Sequence, residues 1–332
     1  MNPEHKNNFR RSATRSAGSE CAYRLKGLIA EFGHLAADGA GRVGFATSRA
    51  RAEVLLQAFR ALHEQGFEIR RPQNLGNRHV KALVAHWESQ ALSPSTMQKR
   101  FSIVRVFCGW IGKKGMVGEL ESYVSKPEVV RRTYVATRDK SWTAQQVDIR
   151  AKIEEVFLHD AHVGVQLLLQ WAFMLRAKEA WLLQPRLADQ GAVLAVNWGT
   201  KGGRDRVVPI RAAWQRTILE FAKGYANAAN GSLIPASRTL ENWKCRFYRV
   251  CRRCGIAQET GLVPHGLRHQ GANDLYEQLT GTPSPVREGA PAEVEAWLDR
   301  LARSVVAESL GHSRTQIVSA YCGRQVVREK AQ

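Results

Sequence analysis

The sequence predicts a mainly α-helical protein of two domains, with one small β-hairpin that makes the second domain α+β. Three observations lead to this fold class. Apolar residues recur at helical spacing through most of the 332 residues. A segment rich in glycine and charge, residues 112–140, interrupts that pattern. Farther on, two short alternating segments flank a glycine-bearing turn, as the strands of a hairpin do.

The first domain is predicted to be entirely helical, with about four helices over residues 45–118. Residues 1–44 precede it as a basic arm that we expect to be partly disordered. Gly66 is expected to end one helix, and Pro94 fits the first turn of another. One helical pattern, Tyr23–Leu35, falls within this arm, and the others lie at Arg49–Gln65, at Asn77–Gln90 and from Ser93-Pro94 onward. Their apolar faces comprise Val80, Leu83, Val84 and Trp87 in one helix and Met97, Phe101, Val104, Val106 and Phe107 in the next.

A linker over residues 119–140 separates this domain from the second one, which begins near Ser141 with Thr143 as a helix N-cap. The apolar run Val163–Leu183 is long enough for one helix or for a pair of helices. The other predicted elements are strands at Ala192–Trp198 and Arg206–Ile210 around a turn at residues 199–203, and helices at Arg211–Tyr225 and Arg238–Cys254.

Charge indicates the class of partner. The chain has 49 Lys and Arg residues against 30 Asp and Glu residues, a net charge of +19 with a sequence pI near 10.1. Residues 1–140 hold 24 basic and 12 acidic residues, a net of +12, which leaves +7 for the remainder. Both domains can therefore contact a polyanion, and nucleic acid is the usual one. No run of 18 apolar residues predicts a membrane span, and the polar N-terminus is unlike a secretory signal, so we expect a cytoplasmic protein.

Cysteine usage predicts neither disulfides nor a metal site. Disulfides are not expected in the reducing compartment that we infer for the chain. Cys251 and Cys254 form one C-x-x-C, but a zinc site normally needs a second ligand pair, and Cys245 is at best a third ligand from another helix face. We expect ordinary thiols, and we find no cluster of carboxylates that would bind another metal.

Four segments of the second domain carry polar residues at positions that a hydrophobic core would disfavour. Arg176 lies between two apolar runs and needs either an ion-pair partner, for which Glu179 is available, or a functional role. Lys201 lies in the hairpin turn, where it is either a solvated charge or a phosphate contact. His265 and Arg268 are three residues apart, so a helix would place both on one face.

The fourth segment is Leu310-Gly311-His312, with Tyr321 nine residues later. By itself, a tyrosine near a C-terminus is usually a packing residue. The order of the four segments, Arg, Lys, His-x-x-Arg, Leu-Gly-His and Tyr, resembles the tyrosine recombinase family, which includes the phage integrases and the Xer proteins. The most specific parts of this resemblance are H-G-L-R-H at His265–His269 and the L-G-H segment before Tyr321. The hairpin T-K-G-G-R-D-R-V-V-P-I is also close to the family's catalytic-lysine hairpin.

The resemblance covers residues 45–325, and two features depart from the family pattern. Met174 stands where family members usually have a glycine, two residues before the arginine. The 44 residues from Arg268 to His312 exceed the usual family spacing. We expect the additional residues, near 280–301, to form a surface insertion with an acidic amphipathic helix over Glu293–Leu301. Such an insertion is similar to those of integrases from integrative mobile elements.

The family resemblance implies the domain roles and the partners. It implies a helical core-binding domain at residues 45–118 that clamps DNA, a catalytic domain at residues 141–325 and a C-terminal tail at residues 326–332. Double-stranded DNA is the implied partner, a homotetramer is the implied synaptic complex, and neither a metal nor another cofactor is implied. A nucleoid-associated location follows. Four basic residues of the first domain are candidates for DNA phosphate contacts: Arg100, Arg105, Lys113 and Lys114.

The resemblance also implies the chemistry of cleavage. The phenolic oxygen of Tyr321 would attack the scissile phosphate, giving a 3′-phosphotyrosine and a free 5′-hydroxyl. Arg176 and Arg268 would hold the non-bridging oxygens, since a guanidinium matches a phosphate in shape and stays charged. His312 would donate a further hydrogen bond to the phosphate.

Proton transfer falls to two other groups. Lys201 is the candidate acid for the leaving 5′-oxygen, and His265 would assist proton transfer from the tyrosine. Glu179 would orient Arg176 or His265 rather than react itself.

Two alternative functions use the same fold. A DNA-binding regulator could retain the fold without catalysis, and a type IB topoisomerase-like enzyme could nick one strand without a paired synapse. A covalent adduct that resists denaturant would exclude the regulator, and recombination between two sites in a plasmid would exclude the topoisomerase. A metal-dependent nuclease is the least favoured class, because acidic ligands are lacking.

Overall fold

A computed structural model of the chain describes residues 20–287 and 294–324, with Lys201 described for its backbone alone. Three parts of the predicted organisation lie outside the described residues: residues 1–19 of the basic arm, the centre of the insertion at 288–293 and the tail from 325 onward. The chain divides into two compact units, Met1–Arg132 and Thr133–Gln332. Within the described ranges, no helix is long and apolar enough to cross a membrane.

The described part of the first unit contains four α-helices: α1 at residues 20–32, α2 at Phe45–Glu64, α3 at Asn77–Ser89 and α4 at Pro94–Trp110. α4 begins where the sequence predicts, because the Ser93 hydroxyl accepts a hydrogen bond from the Thr96 N–H at 3.4 Å and Pro94 occupies the first turn. α2 begins at Phe45, earlier than predicted. It ends just before Gly66, whose φ of +86° makes glycine the favoured residue there.

One apolar core joins these four helices. The predicted stripe of α3 is buried throughout, and in α4 only Val106 of the predicted stripe is half-buried rather than buried. Cys21 and Leu25 of α1 belong to the same core. Residues 20–32 thus pack with α2 to α4, whereas the sequence pattern assigned them to an arm preceding the domain. Their i, i+4 spacing accounts for this, since it presents both side chains on one face.

The segment predicted as a linker is not uniform. Its first half makes short 3₁₀ turns that pack on the first unit, where Leu120 and Val130 are buried. The Val130 carbonyl accepts a hydrogen bond from Gln98 Nε2 at 2.7 Å. Its second half belongs to the second unit, where the Ala136 N–H donates to the Ser319 carbonyl at 2.8 Å.

The second unit is α+β, which confirms the predicted fold class. Its helices in the described residues are α5 at Ile149–His159, α6 at Ala161–Phe173, α7 at Ala177–Leu182, α8 at Pro185–Ala188, α9 at Ala213–Lys223, α10 at Leu240–Arg253, α11 at Gly266–Thr280, α12 at Ala296–Ser309 and α13 at Ser319–Cys322. The strands β1 at Val193–Val196 and β2 at Arg206–Pro209 pair antiparallel, with Val196 opposite Arg206 and Val193 opposite Pro209. Both strands are shorter than predicted.

The start of this unit corrects one detail. Thr143 does not cap a helix: it begins a 3₁₀ turn, and its hydroxyl donates to Gln270 Oε1 at 2.9 Å. The N-cap of α5 is Asp148, whose carboxylate accepts from the Arg150 and Ala151 N–H groups. Trp142 is fully buried in a core beneath α10 and α11.

The predicted insertion is only partly a surface feature. Ser284 is fully buried, and its hydroxyl donates to Asn273 Oδ1 at 2.5 Å. Arg287 bonds to Asp139 at 3.0 Å and to Asp274 at 2.8 Å. Of the acidic helix predicted over Glu293–Leu301, the residues from Ala296 onward form the first part of α12, which continues to Ser309 because its later residues carry the buried apolar face.

Candidate active site

The turn that carries Arg176 is a break in the long apolar run. α6 ends at Phe173, and Met174 adopts a φ of +52°, in the left-handed region that non-glycine residues seldom adopt. Arg176 is then the N-cap of α7. Its backbone N–H donates to Glu179 Oε2 at 2.7 Å, and its Nη1 donates to Glu179 Oε1 at 2.6 Å. The run is therefore a helix pair, and Arg176 has the ion-pair partner that the sequence offers while its side chain stays 22% exposed.

Glu179 is fully buried between two arginines. Besides Arg176, it accepts hydrogen bonds from Arg206 Nη1 at 2.9 Å and Nη2 at 2.8 Å. Burial alone would raise the pKa of Glu179, but the hydrogen bonds and charge of Arg206, followed by those of Arg176, lower it to about 2. The carboxylate therefore stays ionised and holds both guanidinium groups in place.

This arrangement makes the stability of the fold depend on pH. The folded pKa of Glu179 lies below the ordinary value of 4.5, so its contribution is complete above that value and is lost as pH falls towards 2. The difference corresponds to roughly 3 kcal/mol. We expect Glu179→Gln to have a lower free energy of unfolding than the wild type at neutral pH. The difference between the two proteins, measured by urea unfolding, should narrow by roughly 3 kcal/mol towards pH 2.

Glu155→Gln is the matched control for the Glu179 measurement. Glu155 is half-exposed and bonds to Lys152 at 2.6 Å. The free energy of unfolding of Glu155→Gln should therefore differ from that of the wild type by an amount that changes little with pH. A Glu179→Gln gap that stays constant from pH 6 to pH 2 would contradict a strongly ionised, buried Glu179.

The hairpin lies directly against α7. The side chain of Lys201 is outside the described residues, but its backbone begins a short 3₁₀ turn between the strands. Gly199, on the β1 side of that turn, has a φ of +73°, and a Cβ there would lie 2.7 Å from the Lys178 carbonyl oxygen. On the β2 side, Arg206 binds Glu179 as described. Both ends of the turn are thus fixed to α7.

α11 carries the His-x-x-Arg motif, and its first turn fits closely against the start of the unit. A Cβ at Gly266 would lie 2.8 Å from the Lys140 carbonyl oxygen, so only glycine fits there. Arg268 is fully buried, and its Nη1 and Nη2 donate short hydrogen bonds to the carbonyls of Met174 and Leu310. Burial lowers the pKa of Arg268 to about 10, and the nearby Tyr321 opposes that shift, so the guanidinium stays charged at neutral pH.

Two imidazoles at the start of α11 flank the tyrosine: His265, the N-cap residue, is exposed, whereas His269 in the first turn is buried. The ring centroids of His265 and His269 lie 6.0 Å and 4.7 Å from that of Tyr321. Reduced hydration of its ring among the surrounding protein atoms, followed by the positive charge of Arg268 and then Arg176, lowers the pKa of His265 to about 4. Burial and then His265 lower the pKa of His269 to about 3. Both imidazoles are therefore neutral at pH 7 and able to accept a proton.

Tyr321 lies on α13 and is only 7% exposed. Its hydroxyl accepts a hydrogen bond from Arg268 Nε at 3.3 Å, and the Arg268 Cζ lies 5.8 Å from the ring centroid. The ring centroid of His312 is 6.0 Å from that of Tyr321. His312 also lines a cavity of about 430 Å³ together with Arg206 and the β2 side of the hairpin.

The structure thus brings six of the seven predicted site residues together, and for the seventh, Lys201, it locates the backbone. The six are Arg176, Glu179, His265, Arg268, His312 and Tyr321. Sequence reasoning missed Arg206 and gave no role to His269. A signal for Arg206 was present: in the alternating strand Arg206–Pro209, an arginine occupies the same inward face as Val208.

A basic cleft of about 640 Å³ opens beside Arg176 and His265. Lys244, Tyr248 and Arg252 line it at i, i+4 and i+8 of α10, so they form one exposed stripe along the helix. Exposed cations and an aromatic ring suit a phosphate backbone better than an apolar ligand. None of these three residues was predicted, since each looks like an ordinary surface charge or ring in sequence.

The DNA-contact candidates of the first unit differ in their surroundings. Arg105 and Lys113 each donate to a backbone carbonyl, at 2.6 Å and 2.7 Å. Arg100 lies over the Trp87 ring at 6.0 Å, and Lys114 is exposed. Arg100 and Arg105 are five positions apart on α4, about 140° around its axis, so they do not share one face.

The described residues contain no group of three or more His, Cys, Asp or Glu residues that could hold a metal ion. Cys251 and Cys254 are buried, and burial raises the pKa of Cys251 to about 12, so this thiol is protonated at neutral pH.

Comparison with known proteins gives two family matches. The model described as "Phage integrase, N-terminal" matches residues 25–117, and the model described as "Integrase" matches residues 134–274. Tyrosine recombinase XerC of Xanthomonas campestris pv. campestris is 26% identical over 214 residues, 61% of this chain and 62% of the relative. Tyrosine recombinase XerC of Xylella fastidiosa is 24% identical over 216 residues, 61% of this chain and 68% of the relative. The chain therefore spans less than two thirds of the Xanthomonas protein that it matches.

Solved structures share the fold at low identity. A lambda integrase dimer bound to a COC′ core site aligns with a TM-score of 0.56 and 13% identity, covering 93% of this chain and 79% of that one. The Tn1549 transposon integrase in complex with a circular intermediate DNA gives a TM-score of 0.56 at 14% identity, covering 90% and 95%. XerH bound to a palindromic difH substrate gives 0.55 at 14% identity, covering 84% and 76%. The helical first unit and the α+β second unit each have a fold that is known from solved structures.

Proposed function

Because this chain belongs to the tyrosine recombinase and integrase family, we propose that it is a site-specific DNA recombinase that cleaves and rejoins DNA through a 3′-phosphotyrosyl bond at Tyr321. One observation carries the proposal. The Tyr321 hydroxyl accepts a hydrogen bond from the buried Arg268 at 3.3 Å, with imidazole rings on both sides. A phenol that only filled a core would not need a buried cation and three imidazoles around it.

The charged groups suit the transition state of phosphodiester cleavage. As the phenolic oxygen forms a bond to phosphorus, negative charge grows on the non-bridging oxygens. Arg268 uses three of its five N–H groups on Tyr321 and two carbonyls, which leaves one on each terminal nitrogen for a phosphate once the groups that now bury Arg268 move aside. Arg176 points a partly exposed guanidinium into the adjacent cleft, and His312 supplies a further donor.

The proton balance needs one acceptor and one donor. The neutral His265 takes the phenolic proton as the new O–P bond forms, and the incoming phosphate favours the resulting imidazolium. Lys201 gives a proton to the 5′-oxygen as its bond to phosphorus breaks. Rejoining reverses these steps, so the phosphotyrosyl bond keeps the energy of the phosphodiester and ATP is not needed.

The proposed substrate is double-stranded DNA. Four copies of the chain would cleave and rejoin it in a synaptic complex at the nucleoid. The lambda integrase tetramer bound to a Holliday junction has this fold, which supports such an assembly. The test is recombination between two copies of the cognate site in a plasmid, read out with a denaturant-resistant protein–DNA adduct. An adduct with relaxation but no exchange would favour a topoisomerase-like enzyme. DNA binding without any adduct would favour a regulator.

The basic stripe on α10 should contribute to the salt dependence of DNA binding. Each phosphate contact releases about 0.9 counterions, so Lys244→Ala/Arg252→Ala should lower the slope of log K against log salt by about 2. The measurement is a fluorescence-anisotropy titration at several salt concentrations. Arg216→Ala/Lys223→Ala is the control, because both cations already pair with Asp189 at 2.7 Å. Equal slopes for the stripe variant and the wild type would remove α10 from the DNA interface.

A further inference from the structure

We infer that Arg206 is a positioning residue, which fixes the catalytic-lysine hairpin, the Arg176 turn and the loop before His312 relative to one another. The inference rests on the proposed function, since it gives Arg206 a role in that reaction. Its guanidinium is engaged by Glu179 and Ser309, so it acts through these contacts rather than on the reacting atoms.

The first contact joins the hairpin to the Arg176 turn. Arg206 is the first residue of β2, and its two terminal nitrogens bind the two Glu179 oxygens in a parallel fork at 2.9 Å and 2.8 Å. The same carboxylate binds both the backbone N–H and the Nη1 of Arg176. A bidentate pair fixes orientation as well as distance, so the plane of Glu179 is set by Arg206.

The second contact joins the hairpin to the segment that carries His312. Arg206 Nε donates to the Ser309 carbonyl at 3.1 Å, at the end of α12. The aliphatic part of Arg206 packs over Gly311, where a Cβ would lie 2.7 Å from Arg206 Cδ. Gly311 also has a φ of +70°, so the Leu-Gly-His loop requires glycine for two reasons.

The position of the hairpin turn depends on both of its ends. Gly199 is packed against the Lys178 carbonyl at one end, and Arg206 is bound to Glu179 at the other. Loss of the fork would leave the turn that contains Lys201 fixed at one end only. Because a proton donor works only within hydrogen-bond reach of its acceptor, such a change should affect the protonation of the leaving oxygen most.

Stability alone does not account for this residue. A buried ion pair is often no more stabilising than apolar side chains of similar size. Lysine would keep the positive charge beside Glu179 but would lose the two-point fork and the third bond to Ser309. Arg206→Lys therefore separates charge from geometry.

The test compares Arg206→Lys with the wild type in single-turnover adduct formation at saturating DNA. We expect a rate loss on the order of 10²-fold with unchanged DNA affinity, since a misplacement near 1 Å can have that effect. The control is Arg216→Lys, which weakens an arginine–carboxylate pair to Asp189 elsewhere in the unit and should keep the wild-type rate. Arg206→Gln, which retains N–H donors towards Glu179, is a second variant with the same expected result.

A second substrate identifies the step that is affected. With sulfur in place of the bridging 5′-oxygen, the leaving thiolate needs no proton, since a thiol has a pKa of about 8.5. We expect Arg206→Lys to recover at least tenfold of its loss on this phosphorothiolate. An unchanged rate on ordinary DNA, an equal loss on both substrates, or a loss that follows the melting temperature would each overturn the inference. A wild-type chain that forms no adduct on either substrate contradicts the proposed function itself, which is a distinct result.

Discussion

Tyr321→Phe is expected to abolish covalent protein–DNA adducts, a loss of at least 10⁴-fold, while DNA binding stays near that of the wild type. Phenylalanine retains the ring that packs 4.7 Å from His269, but it has no oxygen to attack phosphorus. The fold should tolerate the change, because one hydrogen bond from Arg268 is lost, at a cost of about 1–3 kcal/mol. The amount of covalent adduct formed on a nicked suicide substrate is measured by its shift in a denaturing gel, and DNA binding is measured in parallel.

Tyr276→Phe is the matched control for Tyr321→Phe. Tyr276 is fully buried in the same core, and its hydroxyl also makes one hydrogen bond, to Asp299 at 2.6 Å. The control should lose a similar amount of stability and keep adduct formation. Adducts that persist in Tyr321→Phe would mean that another side chain is the nucleophile.

Arg268→Ala should show the second large effect, on both cleavage and stability. Its guanidinium holds the carbonyls of Met174 and Leu310 in a fully buried position, so its removal leaves two buried acceptors without a donor and should lower the free energy of unfolding by about 2–6 kcal/mol. We also expect cleavage at saturating DNA to fall on the order of 10³-fold, because a charge that stabilises the transition state is lost. Thermal unfolding and single-turnover cleavage are measured on the same preparation.

Arg51→Ala separates these two effects. Arg51 is 6% exposed in the first unit, and it donates to the carbonyls of Gly33 at 3.1 Å and Leu35 at 2.5 Å. It is therefore a buried arginine that binds two carbonyls, as Arg268 does, but without a tyrosine partner. If both variants lose cleavage in proportion to stability, Arg268 is only structural.

The motif spacing predicted most of the candidate site because helical geometry is local. His265 caps α11 and Arg268 lies in its first turn, because three residues make nearly one turn of helix. The apolar run before Arg176 and the glycine turn around Lys201 likewise follow from local preference. The order of these segments then resembled one family closely enough to nominate Tyr321.

Contacts between distant segments were beyond sequence reasoning. The fork between Arg206 and Glu179 joins residues 27 positions apart, and it depends on how β2 packs on α7. The sequence predicted that the acidic helix ends at Leu301, because its first residues are mostly polar. The buried apolar face of α12 begins only at Ala302. In both cases the structure depends on burial against an element that is distant in the sequence, which a local residue pattern does not show.

The left-handed Met174 has a consequence for how this chain can change. A non-glycine residue in that conformation costs about 1 kcal/mol, and burying its thioether side chain contributes about 2 kcal/mol. That side chain lies over Gly271 of α11, where an added Cβ would overlap Met174 Cγ. A methionine at 174 thus requires a glycine at 271, whereas a glycine at 174 leaves room for alanine at 271. We therefore expect residues 174 and 271 to be substituted together as related sequences diverge, since either substitution alone should give a less stable protein.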